Sequence, residues 1–130
     1  MGDFTIRRPT ALSYDEALAR VPDLLKAEGF GILTQIDVKE TLKQKIGVDF
    51  RRYKILGACN PPLAHRALSA EIEVGLMLPC NVIVYEQPGG SSVVAAIDPL
   101  ATIAGTGGAE LREVAAAVRG KLERVLAQIG

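Results

Sequence analysis

The chemistry that this sequence offers is concentrated in two short segments that contain the same pair of residues. The chain has two cysteines and two asparagines, and each asparagine directly follows a cysteine, giving Cys59-Asn60 and Cys80-Asn81. An ionised thiol is a nucleophile and a metal ligand, and an amide side chain both donates and accepts hydrogen bonds. We therefore predict that Cys59, Asn60, Cys80 and Asn81 contact a small ligand or form a thiol site.

Cys59 has two competing interpretations. Asn60 followed by Pro61 is typical of a helix start, with the asparagine as N-cap and the proline in the first turn. A thiol just before a helix lies at the positive end of the helix dipole, which favours a reactive thiolate. Cysteine is also often buried as a small apolar residue, so that Cys59 would only pack and Asn60 would only cap the helix. Both interpretations stay open, whereas a structural disulfide is disfavoured in a cytoplasmic protein.

Metal handling is the alternative function. His65 is the only histidine, and with Cys59 and Cys80 it would give a Cys2His set that Asp98 or Glu86 could complete. The spacings typical of zinc sites, such as C-x-x-C or paired histidines, are missing. The sequence therefore assigns no metal ligand, cofactor or catalytic residue. Whether the protein is an enzyme stays open, and a metal-handling or thiol-redox protein remains the alternative.

A local group of basic side chains surrounds one predicted loop. It could attract an anionic metabolite or an acidic partner, but Asp49 interrupts it and few aromatic residues lie between its members. We interpret it as a solvated surface. Its members are Lys43, Lys45, Arg51, Arg52 and Lys54.

Length and composition bound the class of protein. The chain has 130 residues, is 48% hydrophobic and 23% charged, and has 15 basic and 15 acidic side chains. These values predict one globular domain over residues 1–130 that folds without a disulfide or a metal. A net charge of zero argues against nucleic acid as a partner, and no apolar stretch approaches the roughly 20 residues of a membrane span. We expect a cytoplasmic protein that binds neither nucleic acid nor membranes.

The elements that position the candidate residues follow from helix caps and strand-type runs. Ser13, Asp37 and Asn60 are predicted N-caps, and an apolar stripe at helical spacing runs from Leu111 to Ile129. Pro22 predicts a kink or a restart in the first helix. Strand-type patterns occupy residues 4–8, 31–36, 53–59, 81–86 and 91–97, and the last two form a hairpin through residues 87–90.

The predicted element order is β-α-β-α-β-α-β-β-α. Strict alternation would suggest a parallel sheet, but the second and third helices are short for crossovers and the final hairpin is antiparallel. We therefore predict an α+β fold with a largely antiparallel sheet of about five strands. Two longer helices, one near each end of the chain, would pack on one face, and two short helices would lie in the connections.

Four segments together resemble a known family. Residues 29–31 (Gly-Phe-Gly), 36–38 (Ile-Asp-Val), 56–61 (Leu-Gly-Ala-Cys-Asn-Pro) and 78–82 (Leu-Pro-Cys-Asn-Val) are similar to the pattern of the bacterial and archaeal "domain of unknown function 302" family. The resemblance covers the chain from about Thr5 to Leu126. It implies a TATA-binding-protein-like fold, β-α-β4-α with a curved antiparallel sheet, and a homodimer. It implies no activity, so no catalytic residue is transferred.

Together these observations predict a binding or accessory module. We expect a cytoplasmic homodimer whose partners are a second copy of the chain and a small molecule, with the small-ligand or thiol site at the two Cys-Asn segments.

Overall fold

Five antiparallel strands form the sheet of this protein. The computed structural model describes residues 4–130, with only the backbone of Thr106. The strands lie side by side in the order β1-β5-β4-β3-β2, and every neighbouring pair is antiparallel. The first two strands in sequence are therefore the two edges of the sheet. Their bounds are β1 Thr5–Thr10, β2 Gly31–Asp37, β3 Tyr53–Cys59, β4 Cys80–Glu86 and β5 Ser92–Ile97.

The helices begin at the residues that the sequence indicates. Ser13 Oγ accepts a hydrogen bond from the Glu16 backbone N–H at 3.1 Å, and Asp37 Oδ1 accepts one from the Glu40 N–H at 3.0 Å. The second helix ends at Gly47, whose φ of +68° is favourable only for glycine. The helices are α1 Tyr14–Ala27, α2 Val38–Ile46, α3 Pro61–Ala70, α4 Pro99–Thr102 and α5 Ala109–Ala127, with 3-10 turns at Ile72–Met77 and Ile103–Thr106.

One face of the sheet packs against α1 and α5. Side chains alternate between the two faces of a strand. Leu56, Val82 and Val94 point toward the helices and join Leu25 of α1 and Leu122 of α5 in the core. Each of these five residues is at most 1% exposed. This shared core explains why a sheet with one covered face is stable.

The other face of β1, β5 and β4 is called here the open face. The strand register places Arg7, Ala95 and Ile83 in one row across it. The next residue along each strand points to the opposite face, so the side chains of the open face are not those that pack against the helices. Among residues 4–130, no helix is long and apolar enough to cross a membrane.

The predicted class is confirmed, and so is the predicted element order, to which the structure adds the short helix α4 between β5 and α5. The chain is α+β, and if the short helices are set aside its order is β-α-β4-α. The first strand is longer than predicted, because it continues through Pro9 to Thr10 rather than ending at Arg8. Pairing with β5, which no local pattern reveals, stabilises this extension.

The restart expected at Pro22 does not occur. Helix α1 continues through the proline as one element. Ala17 and Val21 on one side of Pro22 and Leu25 on the other are all fully buried. Tertiary packing on both sides therefore offsets the backbone hydrogen bond that a proline cannot form.

Candidate functional site

Strands β3 and β4 bring the two Cys-Asn segments together. Cys59 is the last residue of β3 and Cys80 is the first of β4, and in the register of the two strands Ala58 lies opposite Cys80. Both thiols are free. Cys59, Asn60 and Cys80 line one small cavity together with residues of α3 and α5. The structure thus collects three of the four predicted site residues.

Cys80 is the buried member of the thiol pair. It is 4% exposed. Burial, with a smaller contribution from the nearby charge of Cys59, raises the pKa of its thiol to about 11. An apolar environment cannot solvate a thiolate, so Cys80 stays protonated at neutral pH. Because Cys59 and Cys80 line the same cavity, the two thiols lie within electrostatic reach of each other.

Cys59 is partly exposed at the end of β3 and borders the same cavity. The cavity volume is about 20 Å³. That is room for about one water molecule, whereas pockets for small molecules usually hold roughly 300 Å³ or more. In this conformation the cavity suits the chemistry of the thiols themselves better than it suits a bound metabolite.

Asn60 uses both ends of its amide within the protein. Its Oδ1 accepts a hydrogen bond from the Leu63 backbone N–H at 3.2 Å, which caps α3, and its Nδ2 donates to the Glu28 carbonyl at 3.4 Å. Gly29 lies against it with φ +85°, and a Cβ at that position would come within 2.9 Å of Nδ2. A ligand at Asn60 would therefore have to displace a hydrogen bond that holds two helix ends together.

Asn81 lies on the other side of β4. Its side chain is exposed, and it lines grooves with Pro79 and Ile97 rather than the cavity of the thiols. The reason is the alternation of a strand, because Cys80 points into the core and its neighbour must point away. The four predicted residues consequently do not form a single constellation.

His65 does not join the two cysteines. It is exposed on α3, and within residues 4–130 no three or more His, Cys, Asp and Glu side chains are arranged to hold a metal ion. The proposed fourth ligands have other partners. Asp98 accepts a hydrogen bond from Arg119 at 2.9 Å, and Glu86 accepts one from Arg52 at 2.7 Å.

The basic side chains around the β3 loop separate into different environments. Lys43 forms an exposed ion pair with Asp49 at 3.1 Å. Arg52 pairs with carboxylates and lies over the ring of Tyr14. Arg51 instead lies over the ring of Tyr85, with its guanidinium carbon 5.7 Å from the ring centre. Adjacent arginines thus belong to different surfaces.

The sequence did not indicate a cluster that extends from the open face onto β3 and the loop before it. The rings of Tyr53 and Tyr85, opposite each other on β3 and β4, stack with centres 5.5 Å apart, and Phe50 lies 6.3 Å from Tyr53. Arg7 Nη2 donates a hydrogen bond to the Tyr85 hydroxyl at 3.0 Å. With Arg51, these residues border an open concave space of about 520 Å³. We call this cluster of five residues the Arg7–Tyr85 site.

The strand order explains why the sequence did not reveal this site. Arg7 and Tyr85 are 78 positions apart, and their strands are not adjacent in the sheet. Strand β5 lies between them, and the small side chain of Ala95 lets Arg7 reach across. The only signal in the sequence was the alternation within β1 and β4. Alternation indicates which side chains share a face of a strand, but it does not indicate which strands lie next to each other in the sheet.

Comparisons with known proteins agree with the fold. The family described as "Domain of unknown function DUF302" matches residues 6–129. The crystal structure of an uncharacterized conserved DUF302 protein from Bacillus stearothermophilus is 32% identical in sequence. It aligns over 99% of this chain and 100% of that chain with a TM-score of 0.90. No curated protein matches. The resemblance inferred from the four segments is thus confirmed.

Proposed function

We propose that this chain, which belongs to the DUF302 family, is a binding module that works as a homodimer, with the β2 edge of the sheet between the two copies. The observation that carries this proposal is where exposed apolar side chains lie. Ten large hydrophobic side chains among the described residues are exposed, and five of them fall on β2, α2 and the loop that follows. One of the five, Phe50, belongs to the Arg7–Tyr85 site. The other four, Leu33, Ile36, Ile46 and Val48, are called here the β2–α2 surface.

The two edges of the sheet differ in their protection against another chain. Strand β1 contains Arg7, Arg8 and Pro9, and charges and proline are common guards of an edge strand. Strand β2 contains no proline and no basic residue, and its one charged residue, Asp37, caps α2. An apolar edge with free backbone groups pairs or aggregates unless something covers it. A second copy supplies the same surface about a twofold axis.

Helix α2 supports the same assignment. None of its nine residues is buried within the single chain, whereas α1 and α5 bury a stripe each. A helix this short is marginal without packing. A stable interface covers about 800 Å² per partner, which is more than the four side chains of the β2–α2 surface can supply. These side chains would therefore form the apolar centre of the interface, and the polar side chains of α2 would form its rim.

The test is the mass of the protein in solution, measured by light scattering during gel filtration at about 10 µM, where a standard interface is populated. We expect a dimer, and we expect Ile36→Lys to give a monomer with unchanged circular dichroism. Leu76→Lys is the matched control, because Leu76 is 86% exposed on the 3-10 turn outside the surface, and it should stay dimeric. A monomeric wild-type protein, or a dimer that survives Ile36→Lys and Leu33→Lys together, would contradict the proposal.

A thiol-redox role is the second candidate, favoured by the proximity of Cys59 and Cys80 around one cavity. Cys59 would meet an oxidant and Cys80 would be its protected partner. Diamide would accept two electrons and two protons from the pair, so that a Cys59–Cys80 disulfide forms and the diamide becomes a hydrazine. A small-ligand site at the same segments stays a prediction. The cavity beside the thiols holds about one water molecule, so a larger ligand would have to bind outside it or widen it.

This second candidate is tested by intact mass spectrometry after diamide treatment of the reduced protein. We expect loss of two hydrogens and no change in oligomeric state. Cys80→Ala should give only mixed or intermolecular products. Two thiols that remain unoxidised under native conditions, but oxidise in urea, would exclude the redox role and leave the packing role.

A further inference from the structure

The Arg7–Tyr85 site has the size and lining of a small-molecule site. Its floor is formed by Ile83 and Ala95 of the open face, and its walls include the rings of Phe50, Tyr53 and Tyr85. Its volume of about 520 Å³ lies within the range of roughly 300–1,000 Å³ typical of ligand pockets. It is many times larger than the cavity of the thiols, and none of its residues belongs to that cavity.

The two arginines of this site have no carboxylate partner in the part of the chain that the structure describes. Within residues 4–130, Arg7 and Arg51 form no ion pair. In contrast, four other arginines each pair with one or two carboxylates: Arg52, Arg66, Arg119 and Arg124. No acidic side chain is among the residues that line the space. The site therefore has uncompensated positive charge above an apolar floor.

Both guanidinium groups also keep donors available. Arg7 uses one N–H on the Tyr85 hydroxyl, and Arg51 donates through Nη1 to the Glu86 carbonyl and to Gln87 Oε1, each at 3.3 Å. A guanidinium has five N–H groups, so several on each arginine can bind another acceptor. Burial raises the pKa of Tyr53, with a further contribution from Tyr85. The Tyr53 phenol is therefore neutral at physiological pH and does not repel an anion.

We propose that the Arg7–Tyr85 site binds a small anion that carries a planar ring. The ring lies against Phe50 and Tyr53, and the anionic group, a phosphate or a carboxylate, binds Arg7 and Arg51. Planar guanidinium groups match the geometry of both anions, and aromatic rings stack on planar ligands at low entropic cost. The inference is independent of the homodimer, because the site shares no residue with the β2–α2 surface.

Calorimetry tests the proposal with two probes that share this chemistry, adenosine 5′-monophosphate and indole-3-carboxylate. We expect at least one of them to bind with a Kd on the order of 100 µM or tighter. Adenosine and inorganic phosphate, each of which has half of the required chemistry, should bind at least about tenfold more weakly than the nucleotide if the phosphate is the anion. If indole-3-carboxylate alone binds, the anion is a carboxylate.

Variants decide whether the binding belongs to this site. Arg7→Gln and Arg51→Gln should each weaken binding about tenfold or more, since each removes a charge-assisted hydrogen bond. Arg112→Gln is the matched control, because Arg112 is an exposed cation on α5 away from the site, and it should bind as the wild type does. Tyrosine fluorescence gives a second readout, since the chain has no tryptophan and two of its three tyrosines line the site.

Two results would overturn the proposal. One is the absence of binding of both probes at millimolar concentration, and the other is binding that the double substitution Arg7→Gln and Arg51→Gln leaves unchanged in a folded protein. The same probes are also titrated into the Ile36→Lys variant, which is expected to be monomeric. Unchanged affinity there separates this proposal from the dimer, so that either can fail without the other.

Discussion

The segments Cys59-Asn60 and Cys80-Asn81 have the same side chains in the same order, and the fold places them in opposite environments. In the first, the cysteine is partly exposed and the asparagine is buried; in the second, the cysteine is buried and the asparagine is exposed. The cause is their place in the chain. The first pair leaves β3 to begin α3, whereas the second pair begins β4 and alternates across the sheet.

This difference shows how far residue type alone can indicate function. Two thiols and two amides suggested one site with four contributors. Three of them do meet, but Asn60 is committed to capping a helix, and Asn81 lies on the open face.

The largest expected difference is in thiol reactivity. Iodoacetamide should alkylate Cys59 at least about 100-fold faster than Cys80 at pH 8, because a group with a pKa near 11 is only about 0.1% ionised there and Cys80 is also buried. Peptide mass spectrometry over time gives both rates. In urea the two rates should converge, whereas equal rates in the folded protein would refute the contrast.

Alkaline pH should destabilise the fold through Cys80. Its pKa is raised in the folded state relative to the unfolded thiol, so this stability is fully present below about pH 9 and is lost as the pH rises toward 11. A shift of about two units corresponds to roughly 3 kcal/mol at most. The pKa values of Tyr14 and Tyr53 are also raised by burial, and these residues add to the same trend.

Variants isolate the contribution of Cys80. Urea unfolding at pH 8 and pH 10.5 should show a smaller loss of stability with pH in Cys80→Ala than in the wild type. Cys59→Ala is the matched control, and it should retain most of the decline. If the free energy of unfolding fell equally with pH in Cys80→Ala and in the wild type, the Cys80 thiol would have to be solvated in the folded protein.

Asn60→Ala should lower the free energy of unfolding by about 1–2 kcal/mol, because it removes the N-cap of α3 and the hydrogen bond to Glu28. Asn60→Ser keeps a capping oxygen and loses the donor to Glu28, so it should cost less. Urea denaturation measures both, and an Ala variant as stable as the wild type would contradict the structural role.

Asn81→Ala should have the smallest effect, within about 0.5 kcal/mol, because an exposed side chain without a structural role contributes little. The same urea series measures it. If Asn81→Ala were as destabilising as Asn60→Ala, the asymmetry between the two segments would be wrong.

Local rules predicted most of the fold correctly. Ser13, Asp37 and Asn60 cap helices as expected, and residues 87–90 join the last two strands as a hairpin. These features depend on side chains within a few positions of one another. The family, the α+β class and the element order follow from them and from the segments around the cysteines.

Long-range register was not predictable in the same way. The pairing of β1 with β5 extends the first strand, and it also brings Arg7 to Tyr85. The size of the cavity beside the thiols depends on the packing of α3 and α5. None of these is encoded in the spacing of a few neighbouring residues.

The pairing of β1 with β5 also has a consequence for how the protein is made. Within residues 4–130, β1 has one neighbour in the sheet, a strand that begins at Ser92, and Thr5 pairs with Ile97. Ribosomes add about 5–20 residues per second, so β1 spends roughly 5–20 s without its partner. The charges of Arg7 and Arg8 and the missing N–H of Pro9, which guard the finished edge, would also discourage mispairing of the nascent chain during that interval.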